Sequence, residues 1–152
     1  MKVGEIAPNF ILQDEKGVEF ELYKSLNKKV LLVFYPKDDT PVCSSQLAEY
    51  NENFDEFLKY GIKVVGINSD TNKSHSDFCL KLNLNFPLLS DKDKKVSRQF
   101  DAVNIFGLIK RKLVLIGPDK RILWIATTLP VTFIKTKEIL KNSTLVDSKE
   151  MT

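Results

Sequence analysis

The sequence is poor in the residues from which small folds build covalent or metal staples. Among 152 residues only Cys43 and Cys79 are cysteine, and only His75 is histidine. That excludes a disulfide-rich scaffold and the common four-ligand zinc sites, so no metal is expected. Long apolar runs are missing too: none approaches the ~18 residues of a membrane span. The opening MKVGEIAPNF has no apolar stretch of the signal-peptide kind, so a cytoplasmic location is expected. No Gly-rich phosphate loop occurs, and no cofactor is expected. Charge of one sign is not concentrated: 23 Lys+Arg stand against 20 Asp+Glu, for a net +3. Lysines at 28–29, 92–95 and 110–112 are interspersed with acidic residues. Neither a nucleic-acid footprint nor a membrane partner follows from that scatter.

What is present suits one folded domain. A chain of this length can bury about two-thirds of its unfolded surface without staples. Its 43% hydrophobic and 28% charged fractions are those of a globular protein. Residues 30–35, VLLVFY, and 62–67, IKVVGI, are continuous apolar runs of the kind that form strands buried on both faces. LVLI at 113–116 and RILWIA at 121–126 flank a Gly117-Pro118-Asp119-Lys120 turn and read as a hairpin. Helical spacing runs from Pro41 to Tyr60, with Gly61 placed as a stop, and again from Asn72 to Leu82. Residues 94–101 read as a short helix and 131–141 as a closing one. Near the start, Phe10, Leu12, Val18, Phe20 and Leu22 alternate about a Lys16-Gly17 turn.

This order, two short strands, β-α-β-α, a hairpin and a helix, resembles the thioredoxin-like fold. The expectation is an α/β domain over residues 1–142: a central mixed sheet, helices on both faces and an N-terminal hairpin. Residues 143–152 are expected to form a flexible tail.

The corner after the first long strand draws attention. Pro41 suits the first helical position, which puts Thr40 at the N-cap and Cys43 in the first turn. The Thr40 hydroxyl is expected to cap that turn. A thiol there meets the positive end of the helix dipole, which favours a thiolate. An ordinary thiol of pKa ~8.5 is only about 3% ionised at pH 7, and lowering it to ~6 raises the thiolate roughly thirtyfold. Further acceleration needs an oriented cation, for which Arg is suited. On local chemistry alone, Cys43 reads equally as a small buried hydrophobe. Residues 43–46 are Cys-Ser-Ser-Gln, so this is not a CxxC dithiol.

At these residues the sequence resembles the peroxiredoxins. The family pattern Pro-x-x-x-Thr-x-x-Cys stands complete as Pro36, Thr40 and Cys43. GEIAPNF at 4–10, FYPKDDTP, Ser74-His75 with Phe78, and FPLLSD at 86–91 are similar to the bacterioferritin comigratory (PrxQ-type) branch. The resemblance implies a peroxidase in which the Cys43 thiolate attacks a peroxide, Thr40 hydrogen-bonds it and Pro36 shields the site from water. Arg111, ahead of the apolar 113–116 run, maps to the family's active-site arginine; alone it would read as a solvated strand-end charge. Val42 stands where the family often has Gly, and Ala48 where many members have a resolving cysteine. Some members carry that cysteine on the following helix, as Cys79 does, 36 residues after Cys43. The implied cycle closes through a Cys43–Cys79 disulfide; as both residues are read at the starts of different helices, local unwinding is required. A structural Cys79 on an apolar helix face is the alternative.

The implied substrates are hydrogen peroxide and organic hydroperoxides, the reductant thioredoxin or a similar dithiol protein, and the state a monomer. Two rivals stand: a one-Cys peroxidase reduced by an external thiol, and a non-catalytic thioredoxin-fold binding or chaperone protein. His75 reads as a surface helix residue.

Overall fold

The computed structural model describes residues 1–150, with side chains described through Asp147. Seven strands form one mixed sheet: β1 (Ile11–Gln13), β2 (Glu19–Glu21), β3 (Lys29–Phe34), β4 (Ile62–Asn68), β5 (Leu88–Ser90), β6 (Arg111–Ile116) and β7 (Ile122–Thr128). Their order across the sheet is β2-β1-β5-β4-β3-β6-β7. β3, β4 and β5 run parallel, and β6 and β7 add antiparallel on the β3 side. The N-terminal hairpin joins the other edge through β1. Among the described residues five α-helices accompany the sheet: α1 (Pro41–Glu52), α2 (Phe54–Lys59), α3 (Asn72–Leu82), α4 (Lys95–Gln99) and α5 (Thr136–Glu150). This is the thioredoxin-like arrangement.

The pleat of β3 explains why its run is apolar throughout. Val30, Leu32 and Phe34 enter one core with Val65, Ile67, Val114 and Ile116. Leu31, Val33 and Tyr35 enter the other with Val64, Leu113 and Leu115. Alternate residues face opposite sides, so a central strand covered on both sides has no polar face to spend. The coverage is uneven. α1, α2, α3 and α5 contribute to the second core, while α4 and the N-terminal segment around Ala7 and Phe10 cover the first. At Gly66 of β4 an added Cβ would lie 2.5 Å from Leu88 Cδ2 and 3.2 Å from a Tyr35 ring carbon. Glycine is what lets Leu88 and Tyr35 close over that strand.

Several elements differ from expectation. The helix over 41–60 is two helices, broken at Asn53, whose Nδ2 donates to the Glu49 carbonyl at 2.9 Å. A side chain that takes the i−4 carbonyl competes with the backbone ladder. β5, three residues long, is a strand beyond those expected. The closing helix starts at Thr136 rather than 131, because Glu49 Oε1 accepts from both the Thr136 N–H and its hydroxyl. It also continues past residue 142. Ser143 is buried and donates to the Leu140 carbonyl, and Lys29 Nζ bonds the Asp147 carboxylate. Residues 143–147, expected in a tail, are therefore helical and tied to β3; Met151 and Thr152 lie outside the described residues.

Candidate active site

The corner between β3 and α1 has the predicted layout with one change. Thr40 is the N-cap, with extended backbone at φ −103° and ψ 154°, and Cys43 is the third helical residue. The Thr40 side chain makes no cap; its hydroxyl donates to the Lys37 carbonyl at 3.0 Å. Asp39, at φ +57°, turns the loop back so that this carbonyl faces it. Pro36 follows the strand half-buried.

Cys43 is 1% exposed and packs in the second core with Leu47 and Tyr50, so its surroundings are those of a buried apolar residue on one side. On the other side stands Arg111. β6 alternates, so Arg111 shares a face with Leu113 and Leu115, the face α1 covers. Its Nη2 lies 3.3 Å from Cys43 Sγ and donates to the Pro130 carbonyl at 3.0 Å. Its Nη1 donates to Gln46 Oε1 at 2.6 Å. Gln46 in turn donates to the Tyr50 hydroxyl at 3.2 Å, which donates to the Ile134 carbonyl at 2.6 Å. A solvated strand-end charge is thus ruled out: Arg111 is 4% exposed, its fork shared among a sulfur, an amide and a carbonyl. Its Nε is buried without a partner among the described residues.

Gln46 was not foreseen. Cys43, Gln46 and Tyr50 fall at i, i+3 and i+7 on one helix face, a spacing that a search for the arginine's partners would have met.

A second polar cluster sits behind the same loop. Asp38, 6% exposed, accepts from the Tyr35 hydroxyl (2.6 Å), Asn68 Nδ2 (3.0 Å) and the Ser74 hydroxyl (2.8 Å), and pairs with His75 Nδ1 at 2.6 Å. His75 Nε2 donates to the Leu89 carbonyl at 3.0 Å. His75 is therefore fully buried, not the surface residue expected. With Asp38 on one side and β5 on the other, the imidazole has polar partners in the core; the two acidic and basic partners are 37 residues apart, out of reach of local periodicity. Burial raises the Asp38 carboxyl, but hydrogen bonds from His75, Tyr35 and Ser74 outweigh it and hold the group below its ordinary value. Burial, then the charge of Asp38, pushes the Tyr35 hydroxyl well above the usual tyrosine range.

Cys79 is on α3, but as the eighth of its eleven residues it is near the end of the helix, not its start. Both cysteines are free thiols. Cys79 is half-buried at the margin of the core that contains Cys43. Burial, with the charges of Glu15, Asp38 and Asp14, pushes its thiol up to about 12. The structure thus brings Thr40, Cys43 and Arg111 to one corner and leaves Cys79 docked on a separate helix. Among the described residues, no group of three or more His, Cys, Asp or Glu is placed to hold a metal ion, and no helix is long and apolar enough to cross a membrane.

Comparison with known proteins places this corner in context. Residues 3–125 match the model of the AhpC/TSA family. A Helicobacter pylori (strain J99) protein named as a bcp peroxiredoxin is 43% identical over 102 residues, 67% of each chain. Peroxiredoxin Q of rice chloroplasts (Oryza sativa subsp. japonica) is 37% identical over 107 residues, 70% of this chain and 49% of that one. Among solved structures, Mycobacterium tuberculosis BcpB superposes with a TM-score of 0.84 at 27% identity, covering 97% of both chains. Xylella fastidiosa PrxQ does so with 0.80 at 28% identity, covering 99% and 96%.

Proposed function

Because the chain belongs to the AhpC/TSA family, whose peroxiredoxins are thiol-dependent peroxidases, we propose that Cys43 is its peroxide-attacking thiol and Arg111 the cation that serves it. The observation that carries this is the 3.3 Å approach of Arg111 Nη2 to Cys43 Sγ inside a buried corner. The thiolate attacks the distal oxygen of ROOH, the O–O bond breaks, Cys43 becomes a sulfenic acid, and the alkoxide takes a proton to leave as ROH. Arg111, held to the sulfur through Nη2, is the cation nearest the charge as it passes from sulfur to oxygen. Thr40 spends its proton on Lys37, so its oxygen is left to accept the peroxide's own O–H. Pro36 shields the sulfur from water. Hydrogen peroxide and organic hydroperoxides are the substrates.

Cys79 then attacks the sulfenic sulfur: the S–O bond breaks, water leaves, and an intramolecular disulfide forms. A thioredoxin-type dithiol reduces it, becoming a disulfide itself. Because the two cysteines lie on separate helices, α3 opens for this step. The reading further takes the chain as a monomer in the cytoplasm, acting as a single domain that extends past residue 142 into α5, where Ser143 is buried and Lys29 bonds Asp147. The one-Cys reading is favoured by a single observation, the docking of Cys79 against the core on a helix separate from that of Cys43.

Peroxide consumption with thioredoxin decides among these. It is expected in the wild type and absent from Cys43→Ser; a wild type that consumes none overturns the peroxidase reading. Cys79→Ser is expected to keep one turnover and lose thioredoxin-dependent cycling. Unimpaired cycling in that variant favours the one-Cys reading.

A further inference from the structure

The two ends of α3 are held by very different means. At its start, Thr71 Oγ1 accepts from the Ser74 N–H at 3.1 Å, and Ser74 and His75 both bond Asp38. Asp38 is itself fixed by Tyr35, the residue that follows β3, and from β4 by Asn68, and its own N–H donates to Asp70 at 2.7 Å. His75 Nε2 adds a bond to β5. The first turn is thus tied to β4, to β5, to the end of β3 and to the loop that precedes Cys43, through buried groups.

The last turn only leans on the margin of the second core, through the half-buried Cys79 and Leu82, and its polar ties are at the surface. Lys81 pairs with Asp39 at 2.6 Å, both side chains more than half exposed. Asn51 Nδ2 donates to the Asn83 carbonyl, also exposed, and Leu80 is 78% exposed. Asn83 closes the helix in the left-handed region, at φ +53°. The helix buries only His75 and Phe78. Exposed pairs contribute little and exchange readily with water, whereas a buried charge with its hydrogen bonds intact is costly to expose.

We propose that Asp38 and His75 are positioning residues that keep the first turn of α3 anchored to the Cys43 loop while the remainder of the helix, carrying Cys79, opens to form the disulfide. This rests on the resolving role of Cys79. From His75 to Cys79 is four residues, an extended reach of roughly 13–14 Å. The anchor therefore keeps the Cys79 thiol on a short tether and raises its effective concentration at the sulfenic acid. Opening draws Phe78 off Tyr35, the ring it faces at 6.4 Å, and frees the Cys79 thiol from the burial that keeps it protonated.

Amide hydrogen exchange read by mass spectrometry tests this on the wild-type protein, reduced and after one equivalent of hydrogen peroxide. In the disulfide form, residues 77–84 are expected to lose protection and residues 71–76 to keep it. Loss across the whole of 71–84 overturns the anchor. If the oxidised chain has not lost two hydrogens in mass, the resolving role of Cys79 fails, and the anchor fails with it for that distinct reason. Step-resolved kinetics supply a second reading. His75→Gln is expected to slow disulfide closure about tenfold, so that the species heavier by one oxygen accumulates, while Lys81→Ala speeds closure. Merely loosening the helix would speed both, so faster closure in His75→Gln overturns the proposal.

Discussion

Arg111 and Lys112 are neighbours in β6, and their cations leave the sheet through opposite faces. Arg111 reaches Cys43 Sγ at 3.3 Å beneath α1. Lys112 Nζ donates to the Phe100 carbonyl at 2.8 Å and the Asp101 carbonyl at 3.3 Å, at the end of α4. Both residues are buried. Two adjacent positive charges inside one domain are tolerated because the pleat separates them and each meets its own acceptors. Burial lowers the Lys112 ammonium from its ordinary value, and the nearby Asp101 opposes that. The pair makes a controlled comparison: one cation faces the reactive sulfur, the other only backbone.

Arg111→Lys is expected to slow peroxide attack by about 10²-fold or more, the scale of losing an oriented donor in a buried site. An ammonium cannot bond Gln46, Pro130 and the sulfur in one plane. Stopped-flow oxidation of the reduced protein at several peroxide concentrations measures it. A rate constant within twofold of the wild type rules out an oriented guanidinium as the source of acceleration.

Lys112→Met is expected to do the reverse. It leaves two carbonyls short of a donor and destabilises the fold by about 1–3 kcal/mol, yet leaves the rate of peroxide attack unchanged. Urea unfolding and the same stopped-flow experiment separate the two effects. A large loss of attack rate would mean that the two faces of the sheet are coupled.

The strands and the reactive corner were legible because their signals are local. VLLVFY at 30–35 specifies a doubly covered strand, and Pro36, Thr40 and Cys43 lie within eight residues. Arg111 was found only by resemblance, since its partner is 68 residues away. Asp38 and His75 both lie in stretches that carry the resemblance, FYPKDDTP and Ser74-His75, but nothing in it pairs them. Ser-His-Ser at 74–76 carries no periodic sign of burial, and what buries it is β5, a strand of three residues. The failed Thr40 cap has a local cause that composition does not reveal, the left-handed turn at Asp39.

Gly66→Ala tests the packing of β4. Its Cβ would sit 2.5 Å from Leu88 Cδ2, so Leu88 must leave its rotamer or β4 and β5 must part. Overpacking of this kind costs about 1–3 kcal/mol. The expected result is a lower urea midpoint with an unchanged m-value. Because β5 also accepts from His75, first-turn amides of α3 are expected to exchange faster. A midpoint equal to that of the wild type would show that Leu88 has room to move.

Asp38 gives the fold an acid limit. Its carboxyl is held below the ordinary value, so its stabilising effect is present in full above the unfolded pKa of ~3.9. The effect is lost as pH falls through the lowered native value. The gap in unfolding free energy between wild type and Asp38→Asn should therefore be constant from about pH 7 to 5 and shrink towards pH 3. Urea titrations across that range measure it. A gap that stays the same at every pH would show that the carboxylate charge contributes nothing.

Cys79 sets an alkaline limit of the opposite sign. Its thiol is pushed up to about 12 in the folded chain, against an ordinary ~8.5 once exposed. Docked α3 binds that proton more tightly than the open helix does, so the stabilisation is complete below pH ~8.5 and falls as pH rises towards 12. In Cys43→Ser, where Cys79 is the only thiol, its alkylation by iodoacetamide reports this directly. Through the open state, the rate is the product of opening and thiolate fraction; where the fraction levels off above pH ~8.5, opening begins to rise. Reaction from the docked state follows the high native pKa instead. Either route predicts a rate that climbs about tenfold per pH unit from 7.5 to 10 without a plateau. A plateau near pH 8.5, as for a free thiol, would mean that Cys79 is already released in the reduced protein, and that no opening of α3 stands between the sulfenic acid and the disulfide.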